Sequence, residues 1–318
     1  MGPKLLLTAN IHGPEHNGLI VAHRVIEWLE TAVADGSLVG TVVVFPCLNV
    51  SGHRAMTRWP DFDEGVDPNR QWPDARPPAA RDPSTIAGFS NGYSSDASVP
   101  TPVEPDFPGD RLAPFYTPPA QSGDGAIAPA WAALQREWGA VGFDAHIDLH
   151  TMGGCLSTPV VYIDRILYDS AGGAAAKAEA ERLHERQKAL CVATGLSILI
   201  SGSVAEQRSR PSRFFRSTSG SMLQGLRVPA VTIEAGPARV AEPAHRDASY
   251  AGVMNALLWN GNAPGRQPID VASIVNVHQH PTDLHRELQY PIVDLPPPGG
   301  VIDLKVDAGN PDILGQGC

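Results

Sequence analysis

A histidine and a glutamate three residues apart, His12 and Glu15, stand where the apolar run Leu5-Leu6-Leu7 gives way to the turn Asn10-Ile11-His12-Gly13-Pro14. A hydrolytic zinc ion is commonly held by two histidines and one carboxylate with one position kept for water, so this pair needs one more histidine from farther along the chain. Three later segments also set polar groups at or just beyond the end of a short apolar run: Asp67-Pro68-Asn69-Arg70, His146-Ile147-Asp148-Leu149-His150, and Val231-Thr232-Ile233-Glu234-Ala235-Gly236-Pro237. In an α/β sheet such run ends collect along the carboxyl edge of the strands, where binding sites form. The local alternatives are polar residues in surface turns, with Glu234 capping the turn that follows it.

In this order, His12-Gly13-Pro14-Glu15-His16-Asn17-Gly18, Asn69-Arg70, Asp148-Leu149-His150 and Ile233-Glu234-Ala235-Gly236-Pro237 resemble the motifs of the succinylglutamate desuccinylase/aspartoacylase family, zinc hydrolases with the metallocarboxypeptidase fold. The resemblance spans most of the chain, from Leu5 to Trp259, apart from a long middle insertion. It implies that His12, Glu15 and His150 hold Zn²⁺, that Glu234 is the general base, and that Asn69 and Arg70 bind a substrate carboxylate. The residue types suit these roles. A carboxylate at the end of a buried run has a raised pKa fit for moving a proton, and a guanidinium beside an amide matches the two oxygens of a carboxylate.

The resemblance also implies that Arg58 stabilises the oxyanion, because it follows Asn49 by nine residues as the family's transition-state arginine follows its Asn-Pro element. Here Val50 replaces the proline, and Arg54 competes in the same loop. Asp148 is placed on the strand face opposite His150, as a side chain that supports a ligand rather than a fourth ligand. His146 and His16 are neighbours of the ligand set, not members. Aspartoacylases carry a further arginine that reads the aspartate side chain; at that position, ten residues before Glu234, stands Gln224, flanked by Met222 and Leu223. N-acetylaspartate is therefore not the expected substrate. Arg208, Arg210, Arg213 and Arg216 cluster just upstream in a Ser-rich segment, read as a solvated loop.

The elements that must position these groups alternate. Residues 4–8, 41–45, 145–149, 159–163, 196–200 and 230–233 read as strands. Residues 17–34, 130–138, 171–193 and 245–259 read as helices, the first with Ile20, Val21, Val25, Trp28 and Leu29 at helical spacing. The alternation implies an α/β architecture with a mostly parallel, buried sheet, and the resemblance implies that it is the three-layer zinc-carboxypeptidase-like fold, a mostly parallel mixed sheet flanked by helices. Residues 1–262 form the catalytic domain. Residues 263–318 form a partial small C-terminal β segment that ends before such a module would be complete.

Between residues 71 and 129 the pattern disappears, and twelve of the thirty prolines fall there. A structureless stretch of this length inside a domain tends to be functional. It reads either as a lid or wall over the substrate pocket or as a surface excursion that serves contact between copies in a homo-oligomer or serves nothing.

With 318 residues, 42% hydrophobic and 18% charged, the chain is long enough for one large α/β domain or one domain plus a small appendage. A formal charge of −10 argues against nucleic acid or an anionic membrane as a main partner. The four cysteines show neither Cys-x-x-Cys spacing nor the density of a disulfide framework, and no run is long enough to span a membrane; a cytoplasmic location is expected. The combined reading is a zinc-dependent amidohydrolase that removes an N-acyl group from a small, carboxylate-bearing, amino-acid-like substrate. A metallocarboxypeptidase acting on peptide C-termini would use the same ligands and base. A non-catalytic relative that only binds a ligand would keep the fold alone.

Overall fold

The computed structural model describes residues 2–73, 75, 86–88, 125–151, 159–164, 166–169, 173–201, 215–239, 241, 243–276 and 301–303. The chain runs β1 (Lys4–Ala9), α1 (His16–Ala34), β2 (Thr41–Phe45), α2 (Val50–Ala55), a 3₁₀ turn (Pro68–Arg70), β3 (Ile86–Gly88), α3 (Ala128–Val141), β4 (Ala145–His150), β5 (Val160–Asp164) and β6 (Leu167–Asp169). It continues through α4 (Gly173–Thr194), β7 (Ser197–Ser201), α5 (Thr218–Gly220) with the π-helical turn Ser221–Gly225, β8 (Ala230–Glu234), α6 (Pro243–Trp259), α7 (Val271–Asn276) and β9 (Val301–Asp303).

Among the described residues seven strands form the main sheet, in the order β2-β1-β4-β8-β5-β7-β9. All neighbours are parallel except β8 and β5, which run antiparallel with Val160 opposite Glu234. The expected mixed, mostly parallel α/β sheet is therefore what the chain forms. Val301–Asp303, expected within a small C-terminal β segment, pairs with β7 as the edge strand of this same sheet.

Strand β4 shows how the sequence assigns the two faces. Its side chains alternate, so Ala145, Ile147 and Leu149 point one way and His146, Asp148 and His150 the other. The apolar set joins Leu5, Leu7, Ala9, Val231 and Ile233 in a core closed by Val21, Ala22 and Val25 of α1 and by Ala248, Ala251 and Met254 of α6. On the opposite face a second core gathers Leu6, Trp72, Trp131, Trp138, Met222, Leu223 and Ala230. All six residues of β4 are buried, so this strand carries three polar side chains with no access to bulk water. Each must find partners inside the protein.

Those partners lie along the register. Thr8 pairs with Asp148, and Asp148 with Thr232; His150 pairs with Glu234. Neighbouring strands lie about 4.8 Å apart, so the polar residues of one face form a row running toward the strand ends.

The described residues include a few from the insertion. Ile86–Gly88 pairs antiparallel with Leu167–Asp169 in a separate two-stranded ribbon, a pairing with no local periodicity to announce it. The side chain of Gln71 accepts a hydrogen bond from the Gly125 amide at 2.7 Å, so the insertion leaves and re-enters the fold at nearly one point. A loop whose ends already meet adds length without disturbing the frame beneath it. Its expected role as a lid or wall lies largely outside the described residues.

Candidate active site

His12 and Glu15 are presented by a turn that Asn10 organises. Asn10 itself takes a positive φ of 55°, and its side-chain amide donates to the carbonyls of His12 (3.1 Å), Gly13 (3.1 Å) and Glu15 (3.3 Å). A Cβ on Gly13 would lie 2.1 Å from the carbonyl carbon of Gly52, so only glycine lets this turn sit against α2. Asn49 completes the junction. It accepts from the Gly52 amide at 2.9 Å, capping α2, and donates to the carbonyls of Ile11 (3.1 Å) and Arg58 (3.3 Å).

His150, at the carboxyl end of β4, meets this turn. Ligand atoms of His12, Glu15 and His150 all lie within 4.8 Å of one another, and the three residues are buried. Nδ1 of His12 is 2.8 Å from one Glu15 carboxylate oxygen, and Nδ1 of His150 is 3.0 Å from the other. The far nitrogen of each ring is also held: His12 Nε2 lies 3.1 Å from Asp67 and His150 Nε2 lies 2.9 Å from Asp148. An ionised carboxylate only accepts hydrogen bonds, and every one of these nitrogens faces one; with a cation seated beside Glu15, the ring protons stay on Nε2 toward Asp67 and Asp148 and each Nδ1 lone pair is the one that binds it. Two imidazole nitrogens and one carboxylate, each ring backed by a second carboxylate, fit a divalent metal of the zinc type.

The expectation that Asp148 faces away from His150 is overturned. Residues two apart on a strand share a face, and the Asp148 carboxylate lies 2.9 Å from the His150 imidazole, in the ligand-supporting contact expected of it but from the same face. Thr8 extends the contact inward. Its hydroxyl donates to Asp148 at 2.6 Å, so His146 Nε2, 2.8 Å away, must be the donor to Thr8. His146 thus sits behind the site, and burial drives its pKa down to about 4, which keeps the ring neutral.

The electrostatics follow from burying so many charges together. Burial opposes the ionised form of Glu15, but His12 and His150 hold its carboxyl well below the ordinary range. Burial likewise disfavours a charged His150, yet Asp148 and Glu15 push its protonation well above the usual histidine value. Positive charge between these groups is what the pocket is built to take, whether from protons or from a metal ion.

Glu234 pairs with His150 across β4 and β8, and the Ala235 amide donates to the His150 carbonyl at 3.0 Å. Burial raises its carboxyl pKa to about 7, only partly countered by the positive charge of His150. The turn behind it is pinned from two sides. Asn17 donates to the Ala235 carbonyl at 2.7 Å, and Gly236, at φ +72°, leaves room for the His245 ring, which a Cβ would approach to 2.0 Å.

Arg58 reaches the same pocket. Its guanidinium donates to Asp67 from Nε (3.2 Å) and Nη2 (3.0 Å), and Nη1 lies 3.8 Å from Glu15. Arg54, the competing candidate, is exposed on α2. Burial would raise the Asp67 pKa, but Arg58, Arg70 and His12 hold it well below the carboxylate norm.

Asn69 and Arg70 follow in the 3₁₀ turn, with Asp67 accepting from the Asn69 amide at 2.8 Å. The Asn69 side-chain oxygen accepts from the backbone and hydroxyl of Thr218 at 2.8 and 3.0 Å, so its NH₂ is the group available to a ligand. Arg70 Nη1 donates to the Asn69 carbonyl at 2.7 Å. Trp72 anchors this turn in the core, stacked on Trp131 and Trp138 with both ring centroids 5.0 Å away, while Trp131 donates to the Pro68 carbonyl at 2.8 Å. Gln224 is buried in the π-helical turn. Arg216 donates to the Trp72 carbonyl at 3.0 Å; Arg208, Arg210 and Arg213 lie outside the described residues.

Residues 1–82 match the family model of the succinylglutamate desuccinylase/aspartoacylase catalytic domain. The chain has the fold of that family. A product-bound ectoine utilization protein EutE (DoeB) from Ruegeria pomeroyi is 16% identical with a TM-score of 0.53, the match covering 85% of this chain and 60% of that one. A succinylglutamate desuccinylase from Silicibacter sp. TM1040 gives the same four values. An aspartoacylase family protein from Mesorhizobium loti is 17% identical with a TM-score of 0.51, over 84% of this chain and 60% of that one. This chain thus spans about three fifths of the length of those structures. No curated protein matches it by sequence. The family-matched residues carry His12, Glu15, Arg58, Asn69 and Arg70, whereas His150 and Glu234 come from beyond them and are brought in by the sheet.

Proposed function

We propose that the chain is a zinc-dependent deacylase, removing an N-acyl group from a small amino-acid-like compound that carries a carboxylate. The observation that supports this most directly is the meeting of His12, Glu15 and His150, from two distant segments, with the protonatable Glu234 on the adjacent strand. Bound among the first three, zinc would supply the Lewis acidity that makes water nucleophilic near neutral pH.

The chain's own residues do the rest. Glu234, poised near pH 7, takes the proton from the attacking water and delivers it to the leaving amine as the C–N bond breaks. Arg58, already held in place by Asp67, faces the negative charge that develops on the carbonyl oxygen. Asn69 NH₂ and Arg70 grip the substrate carboxylate and fix the acyl group over the reacting centre. The buried Gln224 leaves the aspartate-reading position without a cation, which favours a substrate other than N-acetylaspartate. A cytoplasmic location is part of the same proposal, resting on the four cysteines of the sequence, which have neither Cys-x-x-Cys spacing nor the density of a disulfide framework. Among the described residues no helix is long and apolar enough to cross a membrane.

The test is a panel of N-acetyl and N-succinyl amino acids and diamino acids, set against peptides with a free C-terminus, using zinc-loaded protein. Turnover of an N-acyl amino acid is the expected result. Cleavage of peptides alone would reassign the chain as a carboxypeptidase, and absence of turnover together with absence of bound zinc would reject the hydrolase reading.

A further inference from the structure

We propose that Asp67 is a positioning residue that couples the metal ligand His12 to Arg58, so that the two groups are set by one carboxylate. This rests on the deacylase reading for the roles of His12 and Arg58, but the contacts stand by themselves. Asp67 Oδ1 receives His12 Nε2 at 3.1 Å and the Asn69 amide at 2.8 Å, while Oδ2 receives Arg58 Nε at 3.2 Å and Nη2 at 3.0 Å. Asp67 is 8% exposed, so water does not take over these contacts if the carboxylate is lost.

Two of the three groups it holds serve the reacting carbonyl in the proposed reaction. His12 fixes where the metal sits, and Arg58 fixes where the oxyanion must form; the third, Asn69, fixes the substrate. The distance between these sites decides whether a bound substrate is aligned, and one rigid side chain is a more exact gauge than three loops positioned independently. The sequence supports the economy of the device: Asp67 is joined through Pro68, whose ring restricts the backbone, to the Asn69-Arg70 turn. Asp148 performs only half of this task, since it bonds His150 and Thr8 and reaches no substrate-facing group in the described residues.

Asp67→Asn tests the proposal. The amide keeps one oxygen to receive both His12 Nε2 and the Asn69 N–H, but without the negative charge that strengthens the hold on the ring, and it sets an NH₂ where Arg58 donates. Zinc affinity, read by competition with a chromophoric chelator, should weaken about 10- to 100-fold. Arg58→Ala should leave it within about threefold, because Arg58 touches neither ring of the ligand set and comes no closer than 3.8 Å to Glu15, beyond hydrogen-bond reach. In turnover, each single substitution should lower kcat by on the order of 100-fold, and the double variant should fall no more than about tenfold below the worse single one, since both remove the same arrangement.

Wild-type zinc affinity in Asp67→Asn, or rate losses that multiply fully in the double variant, would overturn the coupling. If that substitution does not fold, judged by circular dichroism, Asp67→Ser carries the same comparison. Zinc binding is read without substrate. A protein that loses zinc affinity as expected yet deacylates nothing would therefore fail the hydrolase reading while retaining the hold of Asp67 on His12.

Discussion

Glu234→Gln keeps the shape of the side chain and removes its charge, which makes it a measure of how strongly the pocket resists ionisation. Burial raises the carboxyl pKa from 4.5 to about 7. With about 1.4 kcal/mol for each pH unit of that rise, the ionised group costs the metal-free folded state about 3 kcal/mol. Because the folded pKa lies above the unfolded one, that cost is absent below pH 4.5, where the carboxyl is neutral in both states, and stability falls by this amount as pH rises through about 7. The glutamine cannot ionise and loses nothing over that interval. Urea unfolding of chelator-treated wild type and variant at pH 4.5 and pH 8 should show the variant's relative stability growing by about 3 kcal/mol across the range. Other carboxylates titrate in both proteins and cancel in the difference. A stability difference that stays constant with pH would refute the argument that Glu234 is desolvated. In the zinc-loaded form the same variant should retain metal and lose turnover, and near-normal rates would remove Glu234 from the mechanism.

Metal analysis should find about one zinc per chain, and His150→Ala should abolish it; unchanged zinc content would reject that ligand. Saturating zinc at 100 times its Kd should add about 2.7 kcal/mol of stability to the wild type and none to His150→Ala, read as a shift in Tm. Gly13→Ala drives a Cβ into the Gly52 carbonyl, so it should push the His12 turn away from the Arg58 loop and lower zinc affinity and kcat together; intact values would show that the close approach is not required. Trp72→Ala removes the stacked anchor of the Asn69-Arg70 turn and should cost about 3–5 kcal/mol in chemical denaturation. A loss below about 1 kcal/mol would mean the stack contributes little.

Much of this protein was already set by local sequence. The run Leu5-Leu6-Leu7 before His12, the alternation Ala145-His146-Ile147-Asp148-Leu149-His150 and the helical spacing in 17–34 fixed strands and helices to within a residue or two, because apolar periodicity is a local property. The residue types of His12, Glu15, His150 and Glu234 named a chemistry before any geometry was known.

Other features depend on partners far away in the chain. Nothing near Asp67 says that it will meet His12 and Arg58; a buried carboxylate is placed by the loops that converge on it, not by its neighbours in sequence. Thr8 and His146 became members of one hydrogen-bonded row only through the parallel register of β1 and β4. Asp148 was within reach of the sequence, since the two-residue period of a strand already puts it on the face of His150. The antiparallel turn of the sheet at β8 and β5, the pairing of Ile86–Gly88 with Leu167–Asp169 and the addition of Val301–Asp303 to the sheet edge were decided by tertiary structure alone. Short strands carry too little periodicity to specify a mate, and backbone hydrogen bonding offers the same donors and acceptors to any strand that the rest of the fold brings alongside.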